Sequence, residues 1–254
     1  LVSHGMVCED IRQGKLVVIC YYNNVMDFQL TSTSSDDEFT QAAVAYLTEK
    51  ITAAIHDHGI CTLGLSGGST PGPIYEALAE QEEIDWSKVS IFLVDERHVD
   101  RKKKESNQKL ITDTLLKHID IPRTNLYFPE TTLPIDECVE HYALRLVGLF
   151  QEHAPDVMVL GLGSDGHTAS LFPPVAESAF GQSLVLHTTT DLFDVHDRIT
   201  VSPLVIMSCQ ADLLLLKGKD KLAVFEEMAN CEAPNPVRWP LHVAMATGRA
   251  VSYT

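Results

Sequence analysis

The chain has no CxxC pair, no apolar run of bilayer-spanning length, no internal repeat and no low-complexity linker. A transmembrane helix needs about 20 consecutive apolar residues, so membrane insertion is not expected. The six cysteines (Cys8, Cys20, Cys61, Cys138, Cys209, Cys231) are scattered, several of them in apolar runs. That spacing argues against zinc and redox motifs and fits reduced thiols in a cytoplasmic protein. Cations are scarce: 19 Lys and Arg stand against 35 Asp and Glu, a formal net charge of -16. Nucleic acid and anionic membrane surfaces are poor partners for such a chain. The opening LVSHGM has no signal-peptide pattern and reads as leader residue, so residues 1–6 are set apart from a single domain over 7–254.

What is present alternates. The runs LVVICYY, CTLGLS, VSIFLV and DVMVLG read as strands. Between them, helical spacing of apolar residues covers Asp36 to His58, IYEALAEQ, Asn107 to His118 and Ile135 to His153. Ser34 or Ser35 is placed to cap the first of these helices and Gly59 to end it. RITVSPLVIMSC and DLLLLKG give a strand or turn, a helix and a strand; Gly218 to Met228 is helical, and LHVAMATGRAVSYT reads as one or two strands. Strands alternating with helices imply an α/β fold: one mostly parallel, Rossmann-like sheet with helices on both faces.

The segment DVMVLGLGSDGHTASLFP, Asp156 to Pro173, is the most informative. It runs from a strand into a glycine-rich turn carrying Asp165 and His167. Ligands of open α/β sheets sit at such strand ends, and a histidine there exchanges a proton near neutral pH. Gly161, Gly163 and Gly166 also match GxGxxG, but Pro173 and Pro174 end any helix early. The stretch AESAFGQSLVLHTTTD offers no strand end for the acid that a dinucleotide site needs. NAD binding is therefore not expected, nor any other cofactor.

Three further groups stand at strand ends. SGGSTP, Ser66 to Pro71, offers a phosphate cradle from Gly67, Gly68, Ser69 and Thr70, with proline at the next helix start. Its GxSxG match suggests a nucleophile elbow, but too few strands precede Ser66 for a hydrolase of that kind. Asp95-Glu96-Arg97-His98 ends a buried strand, where charges are held only if paired or in use; Glu96 is expected to serve as an ion pair between loops. Arg198 with Lys219 and Lys221 forms the third group, lysines at a helix start being unfavourable unless an anion binds there. The RKKK run, Arg101 to Lys104, is read as a solvated loop, and no histidine set has metal-ligand spacing.

In order and spacing, GLSGGSTP, FLVDERHV with Ser106-Asn107, LGLGSDGHTASLFP, RITVSP and the G-x-x-K helix start closely resemble the 6-phosphogluconolactonases. These share a superfamily with the glucosamine-6-phosphate deaminases. The resemblance runs from about Asp36 to the end. Two departures exist: Asp100 stands where lactonases usually carry proline, and RKKKE lengthens that loop. The resemblance implies hydrolysis of 6-phospho-D-glucono-1,5-lactone by a monomer or small homo-oligomer. His167 would be general base and acid, oriented by Asp165 or a backbone group. Arg97 would stabilise the oxyanion or hold substrate near it. Gly67, Gly68, Ser69, Thr70, Asp95, Arg198 and Lys221 would bind the substrate and its phosphate, with no metal. A sugar-phosphate isomerase or deaminase and a non-catalytic sugar-phosphate sensor are the alternatives.

Overall fold

The computed structural model describes residues 28–245 and 250–253, so the expected LVVICYY strand and the leader residues lie outside the described residues. After β1 (Phe28–Thr31), helix α1 spans Asp36–His58. Ser35 Oγ accepts from the Glu38 backbone N–H at 3.1 Å, and Glu38 reaches back to Ser34, which together satisfy orphan amides of the first turn. Gly59, at φ 89°, ends the helix as its spacing predicts. Then follow β2 (Cys61–Leu65), α2 (Gly72–Ala79), β3 (Val89–Leu93), β4 (Asp95–Arg97) and α3 (Asn107–Ile111), which continues into a π-helical turn, Thr112–Leu116. The central part holds β5 (Leu126–Tyr127), α4 (Ile135–Leu149), β6 (Val157–Gly161), β7 (Val185–Thr189) and β8 (Asp197–Val201). The chain closes with α5 (Pro203–Ser208), β9 (Ala211–Leu215), α6 (Lys219–Ala229), α7 (His242–Met245) and β10 (Ala250–Tyr253).

Seven strands form one sheet in the order β1-β10-β9-β6-β2-β3-β5, every pair parallel. Both faces are covered, which is why the strands are nearly continuous apolar runs. Val157 and Val159 of β6, with Ile91 and Leu93 of β3, pack on the side of α1 and α2. Met158 and Leu160, with Phe92, pack on the side of α4, α6 and α7. The α/β class, the parallel sheet and the two helical layers agree with the sequence reading.

Chain order fixes where the crevice falls. From β2 the chain moves to β3 on one side, and from β6 to β9 on the other. The loops after β2 and β6 therefore part at a topological switch point, where open α/β sheets bind ligands.

Several expectations need correction. The tail does not begin as a strand, because His242–Met245 is a buried helical turn; a short run buried on all sides carries no period to read. The stretch read as irregular contains β7, which pairs antiparallel with β8, and β8 with β4, in a second, three-stranded sheet. AESAFGQSLVLHTTTD thus does contain a strand, though one outside the parallel sheet. The Asp95–Arg97 segment belongs to that small sheet and does not simply trail from β3. The α4 helix stops at Leu149, four residues short of His153. Among the described residues no helix is long and apolar enough to cross a membrane.

Candidate active site

At the switch point lies a cleft of about 260 Å³, lined by Gly67, Gly68, Asp95, Arg97, His167, Phe193, Arg198 and Lys221 among others. Its floor is the turn after β6. Gly163 N–H donates to the His167 carbonyl at 2.8 Å, and Gly166 N–H to the Gly163 carbonyl at 3.0 Å, folding the turn back on itself. This brings Asp165 Oδ1 to 2.5 Å from His167 Nδ1. The same oxygen accepts the His167 backbone N–H at 3.3 Å. A Cβ on Gly163 would collide with both the imidazole and this carboxylate, so the dyad exists only because residue 163 has none. With Nδ1 donating to Asp165, Nε2 is the lone-pair nitrogen and has no partner among the described residues. Burial pushes the Asp165 carboxyl up, but the His167 hydrogen bond and charge outweigh it and leave the group below its ordinary value.

The small sheet supplies the cations. In the β4–β8 register Arg97 stands opposite Arg198, a like-charge pair that destabilises an antiparallel sheet unless an anion lies between. Burial, and then the neighbouring Arg97 charge, hold the Arg198 guanidinium below its ordinary pKa. Its Nε donates to the Val195 carbonyl at 2.9 Å, and its Cζ lies over the Phe193 ring at 5.4 Å and the Phe172 ring at 5.8 Å. Arg97 donates through Nη1 to the Glu105 carbonyl, while its buried Nε has no hydrogen-bond partner among the described residues. Lys221, near the start of α6, is pulled below its ordinary pKa by burial and has no partner among the described residues. Three cations so placed, with unspent donors, form a site for an anion.

The structure sorts the remaining sequence candidates. Gly67 and Gly68 line the cleft, whereas Ser69 and Thr70 line a smaller adjoining recess of about 50 Å³ that Lys221 also borders. Asp95 borders the cleft with both oxygens engaged, by Asn107 Nδ2 at 3.1 Å and Ser170 Oγ at 2.6 Å. Glu96 is not the expected ion pair. Its carboxylate accepts Asn107 N–H at 2.7 Å, Gln108 N–H at 2.8 Å and Ser106 Oγ at 3.0 Å, and so caps α3. His98 turns away to the Leu133 carbonyl. Ser66 Oγ donates to the Val159 carbonyl at 2.7 Å, which makes it a tie between loop and strand. Lys219 and the Arg101–Lys104 run do not line the cleft; Arg101 and Lys102 border a separate groove beside the π turn.

Three contributors escaped the sequence reading. Asn107 fills the space behind Gly67 and donates to the Asp95 carbonyl at 2.8 Å, tying the start of α3 to β4 while packing against the Gly67 loop. Phe172 and Phe193 lie beside one another, each within reach of Arg198, and meet the His167 ring with centroids 4.9 and 5.7 Å away. Ser106-Asn107 and the SLFP string were visible signals for the first two, but Phe193 sits in a loop with no motif. Among the described residues no group of His, Cys, Asp and Glu could hold a metal ion.

Comparison with known proteins agrees with this geometry. The family model described as glucosamine-6-phosphate isomerases/6-phosphogluconolactonase matches residues 34–252. A "Probable 6-phosphogluconolactonase" of Dictyostelium discoideum is 38% identical over 224 residues, covering 85% of this chain and 93% of that protein. The 6-phosphogluconolactonase of Synechocystis is 34% identical over 217 residues, covering 83% and 88%. The crystal structure of 6-phosphogluconolactonase from Thermotoga maritima superposes with a TM-score of 0.79 at 26% identity, covering 89% of this chain and 98% of that one. With the family model covering residues 34–252, which include every residue named in the cleft, the chain belongs to the glucosamine-6-phosphate isomerase/6-phosphogluconolactonase family.

Proposed function

We propose that this protein hydrolyses 6-phospho-D-glucono-1,5-lactone to 6-phospho-D-gluconate, the ring-opening step of the oxidative pentose phosphate pathway. The observation that carries the reading is an Asp165-oriented imidazole and three cations around one cleft. His167 Nε2 takes a proton from water as its oxygen attacks the C1 carbonyl. The carbonyl π electrons move to oxygen, and Arg97 stabilises that developing negative charge. When the tetrahedral intermediate collapses, the bond from C1 to the ring oxygen breaks and the imidazolium returns its proton to that oxygen. Asp165 holds the ring in the required tautomer and offsets its positive charge while it carries the proton. Arg198 and Lys221, with the N–H groups of the Gly67–Thr70 loop, grip the 6-phosphate and convert its binding energy into positioning of the lactone.

We read residues 7–254 as one working domain; β1 and β10 lie side by side in the one sheet, which supports this. A cytoplasmic location is favoured by four free cysteines among the described residues, three of them buried. The deciding assay follows lactone disappearance above its spontaneous hydrolysis, with glucosamine 6-phosphate offered in parallel. Catalysed lactone loss without ammonia release is the expected result, and ammonia release without lactone loss would move the protein to the isomerase branch.

A further inference from the structure

Phe193 lies in the loop Thr190–His196, over the mouth of the cleft. It is 45% exposed, unusually open for a large apolar ring. The loop is tied at its base, where Thr190 N–H donates to the His196 carbonyl at 3.2 Å. Two of its inward contacts meet on one side chain: the Val195 carbonyl accepts from Arg198 Nε at 2.9 Å, and the Phe193 ring lies 5.4 Å from the same guanidinium. Arg198 needs such support. It is buried opposite Arg97, and an aromatic face, with its negative quadrupole, partly offsets the repulsion between the two. The ring also meets the His167 imidazole edge-on at 5.7 Å. That contact is redundant, because Asp165 and Phe172 already fix the imidazole.

We propose that Phe193 is a positioning residue for phosphate selectivity. With the Val195 carbonyl it fixes the inner edge of Arg198 and leaves the outer nitrogens facing the 6-phosphate, so the exposed ring is a wall of the cleft that a phosphorylated ligand covers. The inference rests on the hydrolytic reading above for its substrate, and it separates from that reading in binding.

The test compares Phe193→Leu, which keeps apolar bulk without a quadrupole, with Phe193→Tyr, which keeps the ring. Steady-state kinetics on the phosphorylated and unphosphorylated lactones are combined with calorimetric titration of 6-phosphogluconate and gluconate. Phe193→Leu should raise KM and Kd for the phosphorylated compounds about 3- to 10-fold, the scale of one partly exposed cation–π contact, with kcat nearly unchanged. The unphosphorylated compounds should shift much less, and Phe193→Tyr should restore parental values to within about twofold. Equal losses on both substrates, a Tyr variant as poor as the Leu variant, or unchanged Kd in the Leu variant would each overturn the inference while leaving hydrolysis intact. A parent inactive on the lactone, whose Leu variant still loses affinity for 6-phosphogluconate alone, would overturn the hydrolytic reading and keep this one.

Discussion

His167 owes its proposed role to a single short contact. A histidine free in solution samples both tautomers, whereas one donating from Nδ1 to a carboxylate presents Nε2 as a base in every molecule. His167→Ala should keep the fold and most ligand affinity while lowering kcat about 10²–10⁴-fold, the usual worth of a positioned acid–base group. Ser66→Ala is the companion variant: its hydroxyl is spent on the Val159 carbonyl, so kcat should stay within a few-fold and stability fall by roughly 1 kcal/mol. A His167→Ala enzyme as fast as the parent, or a dead Ser66→Ala enzyme with a normal melting curve, would reverse these assignments. For the cations, Arg198→Ala and Lys221→Ala should each weaken phosphorylated ligands by roughly 1.5–3 kcal/mol, the range for a hydrogen bond to a charged group. Activity on unphosphorylated gluconolactone should fall much less. Equal losses on both would place these cations at the reacting carbonyl or in support of the fold.

At the scale of elements, α3 and the loop before it depend on Glu96. Its carboxylate is fully buried and accepts from two backbone N–H groups at the start of that helix. Glu96→Ala leaves those donors without an acceptor in a place that water does not reach. Each such orphan costs roughly 1–3 kcal/mol, so a total loss of about 2–6 kcal/mol is expected in urea unfolding. Because Asn107 on the same turn holds the loop at Gly67, phosphate affinity should weaken together with stability. A variant with near-parental stability would show that solvent can enter and replace the carboxylate. The second sheet acts in the same way at larger size: its antiparallel register, not the parallel sheet, brings Arg97 beside Arg198.

For the whole molecule, half-buried Asp165 and fully buried Glu96 give stability opposite pH slopes. Asp165 lies below its ordinary 3.8, so its contribution is present above that pH and lost as pH falls through the lowered folded value. Burial, outweighing the hydrogen bonds it accepts, raises Glu96 above its ordinary 4.5; its protonation-linked contribution is therefore present below 4.5 and lost as pH rises through the raised folded value. Unfolding free energies measured across pH should change slope in Asp165→Asn on the acid side, and in Glu96→Gln on the side above 4.5. Parallel profiles for parent and variants would contradict both directions. Ligand should act on the molecule as a unit as well. At about 100 times its Kd, 6-phosphogluconate should add roughly 2.7 kcal/mol to the parent, with gluconate adding far less at equal concentration.

Periodicity and capping are local properties, so the sequence alone was enough to determine the long helix with Ser35 and Gly59 at its ends, the buried strands and hence the parallel α/β class. The strings SGGSTP and SDGHTASLFP likewise located the cleft-lining glycine loop and the Asp165–His167 pair, because close backbone approach and a short side-chain bridge are both set within a few residues. Other features depended on residues far apart in the chain. Nothing local distinguishes Glu96, which caps a helix, from Arg97, which faces the cleft; the β4–β8 pairing decides it. Nothing in the 190–196 loop marks Phe193, whose meaning comes from Arg198 beneath it. The buried turn at His242–Met245 has no solvent face and so no period to read. Local chemistry chose the elements and the reactive turn, and long-range pairing decided which charged groups share one cleft, since only the assembled sheets bring them within contact distance.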